Sequence, residues 1–165
     1  MRRYRGTISW LLLIGLMGCT PASNKGVTGP TVQVDPKTWT VLPAESDEFP
    51  IAARAATERL RRARLRGMNE PEISKVSLQV VQLSIECVDR TPSCYTAVGR
   101  SLQPPPAELL FAEIDQGPKK QSIKVTVTLF DVQAQKRKRA ASKVFPSEED
   151  VVWGVADVVA EATKP

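Results

Sequence analysis

The chain of 165 residues contains no histidine and only three cysteines. Without histidine there is no Ser-His or Cys-His pair for nucleophilic catalysis. Cysteines alone fall short of the four ligands of a structural zinc. Aromatic residues are scarce at 5%, too few for a platform on which nucleic-acid bases could stack. No glycine-rich loop is present to cradle a phosphate, and Gly99 stands alone as a packing glycine. The acidic run Glu148-Glu149-Asp150 is explained as charge at a helix start. No apolar run approaches the ~20 residues that a membrane-spanning helix needs. These absences point away from an enzyme and imply no cofactor, no metal and no nucleic-acid partner.

What the N-terminus does contain is an address. Arg2, Arg3 and Arg5 precede the apolar run Ile8 to Leu16, which as a helix would rise only ~14 Å. That pattern is an export signal rather than an anchor. It closes on Leu16-Met17-Gly18-Cys19, which resembles the lipobox of bacterial lipoprotein signals. The resemblance implies cleavage after residue 18, thioether lipidation of Cys19 and acylation, palmitate included, of its new amino group. Three acyl chains at ~0.8 kcal/mol per buried methylene would hold such a protein on the membrane permanently. Thr20 follows where an Asp would signal inner-membrane retention, so the sorting rule of enterobacterial lipoproteins implies the outer membrane, with the domain facing the periplasm.

Removing the signal takes three arginines and no acid, so the formal charge of +5 falls to about +2, far from the basic excess that DNA or RNA binding requires. Residues 19–36 are rich in Gly, Pro, Ser and Thr and read as a lipidated flexible tether reaching ~20–25 Å. Residues 37–165 are then one domain, long enough for a real core. With Cys19 committed to lipid, Cys87 and Cys94 remain. In an oxidising compartment a pair so close in sequence is most simply a disulfide. A redox pair is the alternative, against which stands a spacing of six intervening residues rather than two.

Along the domain, Lys37 to Pro43 is β-prone. Phe49 to Arg66 is the first helix, with Ala52, Ala56, Leu60 and Ala63 as its apolar stripe, Pro50 in its first turn and Gly67 as its C-terminal stop. Residues 70–86 fit two templates. The helical one, Ile73-Val76-Val80-Leu83-Cys87 with Asn69 as cap, needs no slip and is favoured, although the β-branched content argues for strand. Pro92 to Leu102 is a helix carrying Cys94, Ala97 and Val98 inward, ended by Pro104-Pro105-Pro106. Glu108 to Ile114 is a buried strand. Ile123, Val125, Val127 and Leu129 alternate along the clearest strand in the chain, and Lys138 to Phe145 returns as a third, giving an antiparallel meander. Ser147 caps a last helix striped by Val151, Val155, Val158 and Ala162.

This order resembles a known family. Thr40-Val41-Leu42-Pro43, a helix, the cysteine pair leading into Ala97-Val98-Gly99-Arg100-Ser101-Leu102, then Leu109 to Ile114 and a strand ending Leu129-Phe130-Asp131-Val132, together look like the small domain of bacterial envelope lipoproteins related to the TolB N-terminal domain and to FlgO. The resemblance implies an α/β fold: a mixed sheet of about four or five strands, with helices mainly on one face. It also implies a non-enzymatic adaptor or accessory role in an envelope machine for motility, secretion or envelope assembly.

Two basic clusters are candidate contacts for a protein partner or for an anionic lipid or glycan. Arg54, Arg59, Arg61, Arg62, Arg64 and Arg66 make the first helix basic around most of its exposed circumference, unless they form only a solvated face. Lys136, Arg137, Lys138 and Arg139 alternate on a strand, as suits a hairpin tip or a guarded sheet edge. A binding module for an anionic envelope component is the second functional reading, and a periplasmic thiol oxidoreductase using Cys87 and Cys94 the third.

Overall fold

The computed structural model describes residues 34–165. Within them the chain forms β1 (Trp39–Val41), α1 (Pro50–Arg61), β2 (Glu72–Ile73), α2 (Leu78–Ser84), α3 (Pro92–Ser101), β3 (Glu108–Gln116), β4 (Ile123–Asp131), β5 (Lys136–Phe145) and α4 (Glu148–Thr163). One five-stranded sheet is ordered β2-β1-β3-β4-β5. β1 pairs in parallel with β2 and β3, while β3, β4 and β5 run antiparallel. This is the mixed α/β sheet with a C-terminal meander that the sequence implies.

The strand order explains where the helices lie. The chain leaves β1 over α1 to reach β2 on one side, then crosses over α2 and α3 to reach β3 on the other. Parallel crossovers are right-handed, so reversing the direction of travel puts the two connections on opposite faces. The longer helices, α1 and α4, share one face. There Leu110, Ala112, Val125 and Val127 meet Ala52, Ala56 and Leu60 of α1 and Val151, Val155 and Val158 of α4. The shorter α2 and α3 cover part of the other face, where Leu109, Phe111 and Phe130 meet Leu78, Val81, Tyr95 and Val98. Alternation along β3 and β4 thus feeds two cores, odd and even positions going to opposite sides.

Local chemistry sets most boundaries. Pro50 opens α1 at a position whose N–H would be unpaired anyway. Thr91 and Ser147 cap α3 and α4 by accepting from the N–H of Cys94 and Asp150. Gly99 lets α3 lie close on the sheet, since a Cβ there would come within 2.5 Å of Val132 Cγ2.

Three sequence expectations change. First, α1 ends at Arg61, short of Arg66. Its last turn tightens, with the N–H of Arg62 bonded to the carbonyl of Arg59 and that of Ala63 to Leu60, which ends the i→i+4 ladder. Gly67 is not the helix stop. It holds φ +79° in a separate turn closed by the Met68 N–H on the Leu65 carbonyl, a position where a side chain would be strained.

Second, residues 70–86 are neither one helix nor one strand. Pro71 begins an extended stretch that docks β2 on β1, and Ser77, rather than Asn69, caps a shorter α2 by accepting from the Val80 N–H. The face α2 buries is Leu78, Val81 and Gln82, so the expected stripe of Val76, Val80 and Leu83 points outward. Third, in α3 Tyr95 takes the inward place expected for Ala97, which is exposed.

Candidate functional site

The segment between α2 and α3 carries the densest polar chemistry. Cys87 and Cys94 are bonded, their Cα atoms 5.6 Å apart. The eight-residue loop they close carries Arg90 over the sheet, where Glu113 and Asp115, two apart on β3, project from the same face. Arg90 donates to both oxygens of Asp115 at 2.6 and 2.7 Å, and its Nε lies 3.1 Å from Glu113 Oε1. The same Glu113 oxygen accepts from the Tyr95 hydroxyl at 3.0 Å. Tyr95 in turn packs against Phe111 and Phe130. Glu113 is buried, and a buried carboxylate is tolerable only when paired and hydrogen-bonded as this one is.

These contacts shift three groups. The Arg90 guanidinium, bonded to Asp115, holds that carboxyl below the usual aspartate range. Burial, reinforced by the Glu113 charge, pushes the Tyr95 phenol above its ordinary value. The bond to Asp115 raises Arg90 further above its already high value. An aspartate ordinarily titrates at about 3.9 and a tyrosine at about 10. Asp115 binds a proton more readily unfolded than folded, so stability falls as pH drops below about 4. The unfolded Tyr95 loses its proton before the folded one, so stability also falls as pH rises past about 10. Urea unfolding across pH is expected to show a plateau between these limits, with Arg90→Gln flattening the acid limb. An acid limb unchanged in that variant would show that Arg90 does not couple to Asp115.

This arrangement is structural clamping rather than catalysis. Sequence reasoning assigned none of the four to a site; Arg90 and Tyr95 stood only as neighbours of the cysteines. The available signal was Glu113 inside the apolar run Leu109 to Ile114, with a second acid at Asp115, but nothing local pointed to Arg90 as their partner.

The basic clusters are dispersed. Arg61 and Arg62 both reach Glu58, at 3.5 and 3.7 Å, and Arg64 reaches Glu70 at 3.4 Å. Because α1 stops at Arg61, Arg62, Arg64 and Arg66 leave the helical surface, and the expected basic cylinder is not formed. Arg66 instead lines a depression shared with Lys138, Arg139 and Lys164. Arg54 and Arg59 have no ion-pair partner among the described residues, and together with Arg62 they border the seam between α1 and α4.

On β5 the register slips between Leu129 and Phe130, so that Leu129 faces Arg139 and Phe130 faces Arg137. This bulge sends Lys138 to the buried Glu108, while Arg139 donates to the Pro165 carbonyl and Lys136 sits opposite Asp131. β5 is the edge of the sheet, where a bulge and cations discourage pairing with another strand. Cys19 lies outside the described residues. Among the described residues no group of carboxylates and cysteines is placed to hold a metal ion, and no helix is long and apolar enough to cross a membrane.

Besides Ile73 on β2 and Val144 on β5, two groups of large apolar side chains stand exposed among the described residues. One is on the outward side of α2 and the loop after it, where Val80, Leu83 and Val88 stand exposed, Leu83 to 67%. The other includes Ile51 of α1, 57% exposed, and Trp153 of α4, 78% exposed and next in the chain to Val152, which lines the α1–α4 seam.

No family model and no curated protein matches the chain. Two similar solved structures are LpoB C-terminal domains. That of Salmonella enterica is 14% identical, with 70% of this chain and 86% of that chain covered and a TM-score of 0.40. That of Escherichia coli is 16% identical, with 66% and 77% covered and a TM-score of 0.35. Likeness at this level carries no argument about function. Neither is a TolB- or FlgO-type domain, so the family resemblance drawn from the sequence gains no support from them.

Proposed function

We propose that this protein is a non-enzymatic outer-membrane lipoprotein, anchored through Cys19, that serves as an adaptor or accessory subunit of an envelope machine for motility, secretion or envelope assembly. It offers an apolar surface to a periplasmic protein partner. The observation that carries this reading is the exposed apolar group formed by Val80 and Leu83 on α2, Val76 just before its cap and Val88 in the loop after it. Large apolar side chains grouped together on a surface, rather than scattered singly, mark contact sites. The group is also held still. Leu78 and Val81 root α2 in the second core, and the Cys87–Cys94 bond ties its exit to α3. A rigid apolar surface loses little conformational entropy on binding.

Nothing comparable favours the other two readings. The dispersal of Arg61, Arg62, Arg64 and Arg66 into local ion pairs and loops weakens a lipid or glycan platform on the first helix. For a thiol oxidoreductase, Cys94 is buried and the loop's most evident work is to position Arg90.

A photocrosslinking residue at position 83 of the full-length protein in its own membrane is expected to give one discrete protein adduct. Leu83→Asp should reduce recovery of that partner at least tenfold while leaving the melting temperature unchanged. Absence of adducts from positions 80, 83 and 88 alike would overturn the reading.

A further inference from the structure

We propose that the seam between α1 and α4 is a second docking surface, and that its occupant is an acidic amphipathic helix supplied by a partner protein. The proposal rests on the adaptor reading above and adds the chemistry of what is bound.

Two depressions of about 310 and 250 Å³ lie end to end along the seam and share Arg59 and Arg62. Their floor is apolar, formed by Ala55 and Val152 in one and by Ala156 and Val159 in the other. From Ile51 to Arg62 the seam follows α1 for ~16 Å, which matches about three turns of a helix laid alongside. Grooves between packed helices accept the ridge of a third.

Charge selects the occupant. Arg54, Arg59 and Arg62 border the seam, and the single carboxylate lining it, Glu58, is shared with Arg61 and Arg62 through weak exposed contacts. On the α4 side, Trp153, Asp157 and Glu161 follow one another at i+4 spacing and so form the outer ridge. That ridge repels a second acidic edge. The bound helix therefore turns its carboxylates toward α1 and lays its apolar stripe over Ile51, Ala55 and Val152. Arginine bordering an apolar centre is among the residue types that dominate binding energy at protein interfaces.

Trp153 also provides the readout, because the other tryptophan of the domain, Trp39, is buried. The full-length lipoprotein in detergent is titrated with a designed amphipathic helical peptide carrying leucines on one face and glutamates on one edge. Saturable binding with a blue shift of tryptophan emission is expected. The same peptide with lysine for glutamate should bind at least tenfold more weakly, and Arg59→Ser/Arg62→Ser protein should lose at least tenfold in affinity for the glutamate peptide. Trp153→Phe should remove the spectral shift. In cells, a photocrosslinker at position 51 should capture a protein segment that mass spectrometry shows to be acidic and amphipathic.

Equal binding of the two peptides, or undiminished binding by the arginine variant, overturns the proposal. So does an adduct at position 51 that is lipid, glycan or a non-acidic segment. An adduct at position 83 with none at 51 removes this second surface and leaves the adaptor reading standing. No adduct at either position removes both.

Discussion

Truncation of Tyr95 to alanine is expected to lower the free energy of unfolding by about 3–5 kcal/mol, the range for large-to-small changes of buried aromatic residues. The side chain is 2% exposed, and its ring lies 4.9 Å from that of Phe111 and 5.5 Å from that of Phe130. Alanine would leave a void between α3 and the sheet that the closely seated backbone at Gly99 prevents from collapsing. It would also take from Glu113 its hydrogen bond, leaving the buried carboxylate only the ion pair with Arg90. Tyr95→Phe separates these effects, because it keeps the ring and loses only the bond, for which about 1–2 kcal/mol is expected. The phenylalanine variant should also lose the alkaline fall in stability. Urea unfolding followed by circular dichroism measures both changes. If Phe costs as much as Ala, the hydrogen bond rather than the packing holds α3 in place.

Removal of the disulfide by Cys87→Ser/Cys94→Ala is expected to cost about 2–3 kcal/mol from the released loop entropy of so short a closure. The loss reaches beyond the bond. Arg90 sits within the released loop, so its bidentate contact with Asp115 must then be held by side-chain packing alone, and the acid limb of the pH–stability profile should shrink. Reduced wild-type protein should match the double variant in midpoint and in acid dependence. A reduced protein as stable as the oxidised one would show that the bond constrains nothing that folding does not already hold.

How much of this was legible depended on whether the physics is local. The meander was readable because Ile123, Val125, Val127 and Leu129 alternate with polar neighbours, and one-sided burial leaves that imprint at period two. The starts of α3 and α4 were readable because Thr91-Pro92 and Ser147 with Asp150 act within one turn. The extent of α1 was not, because its end is decided by the need to bring Leu65 and Met68 back against the first core. The face of α2 was misassigned because both of its sides are apolar. Which side is buried depends on where β2 and α3 sit, and no residue of α2 encodes that.

The candidate sites divide in the same way. The cysteine pair could be placed by proximity in sequence. The Arg90–Glu113–Asp115–Tyr95 cluster joins residues up to 25 apart, and in sequence each charged member looks like surface. The arginines of the first helix were visible as a cluster, but their sorting into ion pairs, a basic depression and the α1–α4 seam depends on where the helix stops.

The position of β1 has a mechanical consequence. This three-residue strand is the first element the chain enters after residue 34, yet it lies inside the sheet, hydrogen-bonded to a parallel neighbour on each side. Two bonds just before it, from the N–H of Asn69 to the Lys37 carbonyl and from that of Ala107 to the Thr38 carbonyl, extend both seams. Withdrawing β1 from the sheet therefore requires breaking the hydrogen bonds of both seams. Trp39, buried and bonded through its indole N–H to the Asn69 carbonyl, stands as a bolt across that path. A load applied between the N-terminal side of the domain and a partner held on α2 would meet a first strand braced on both flanks.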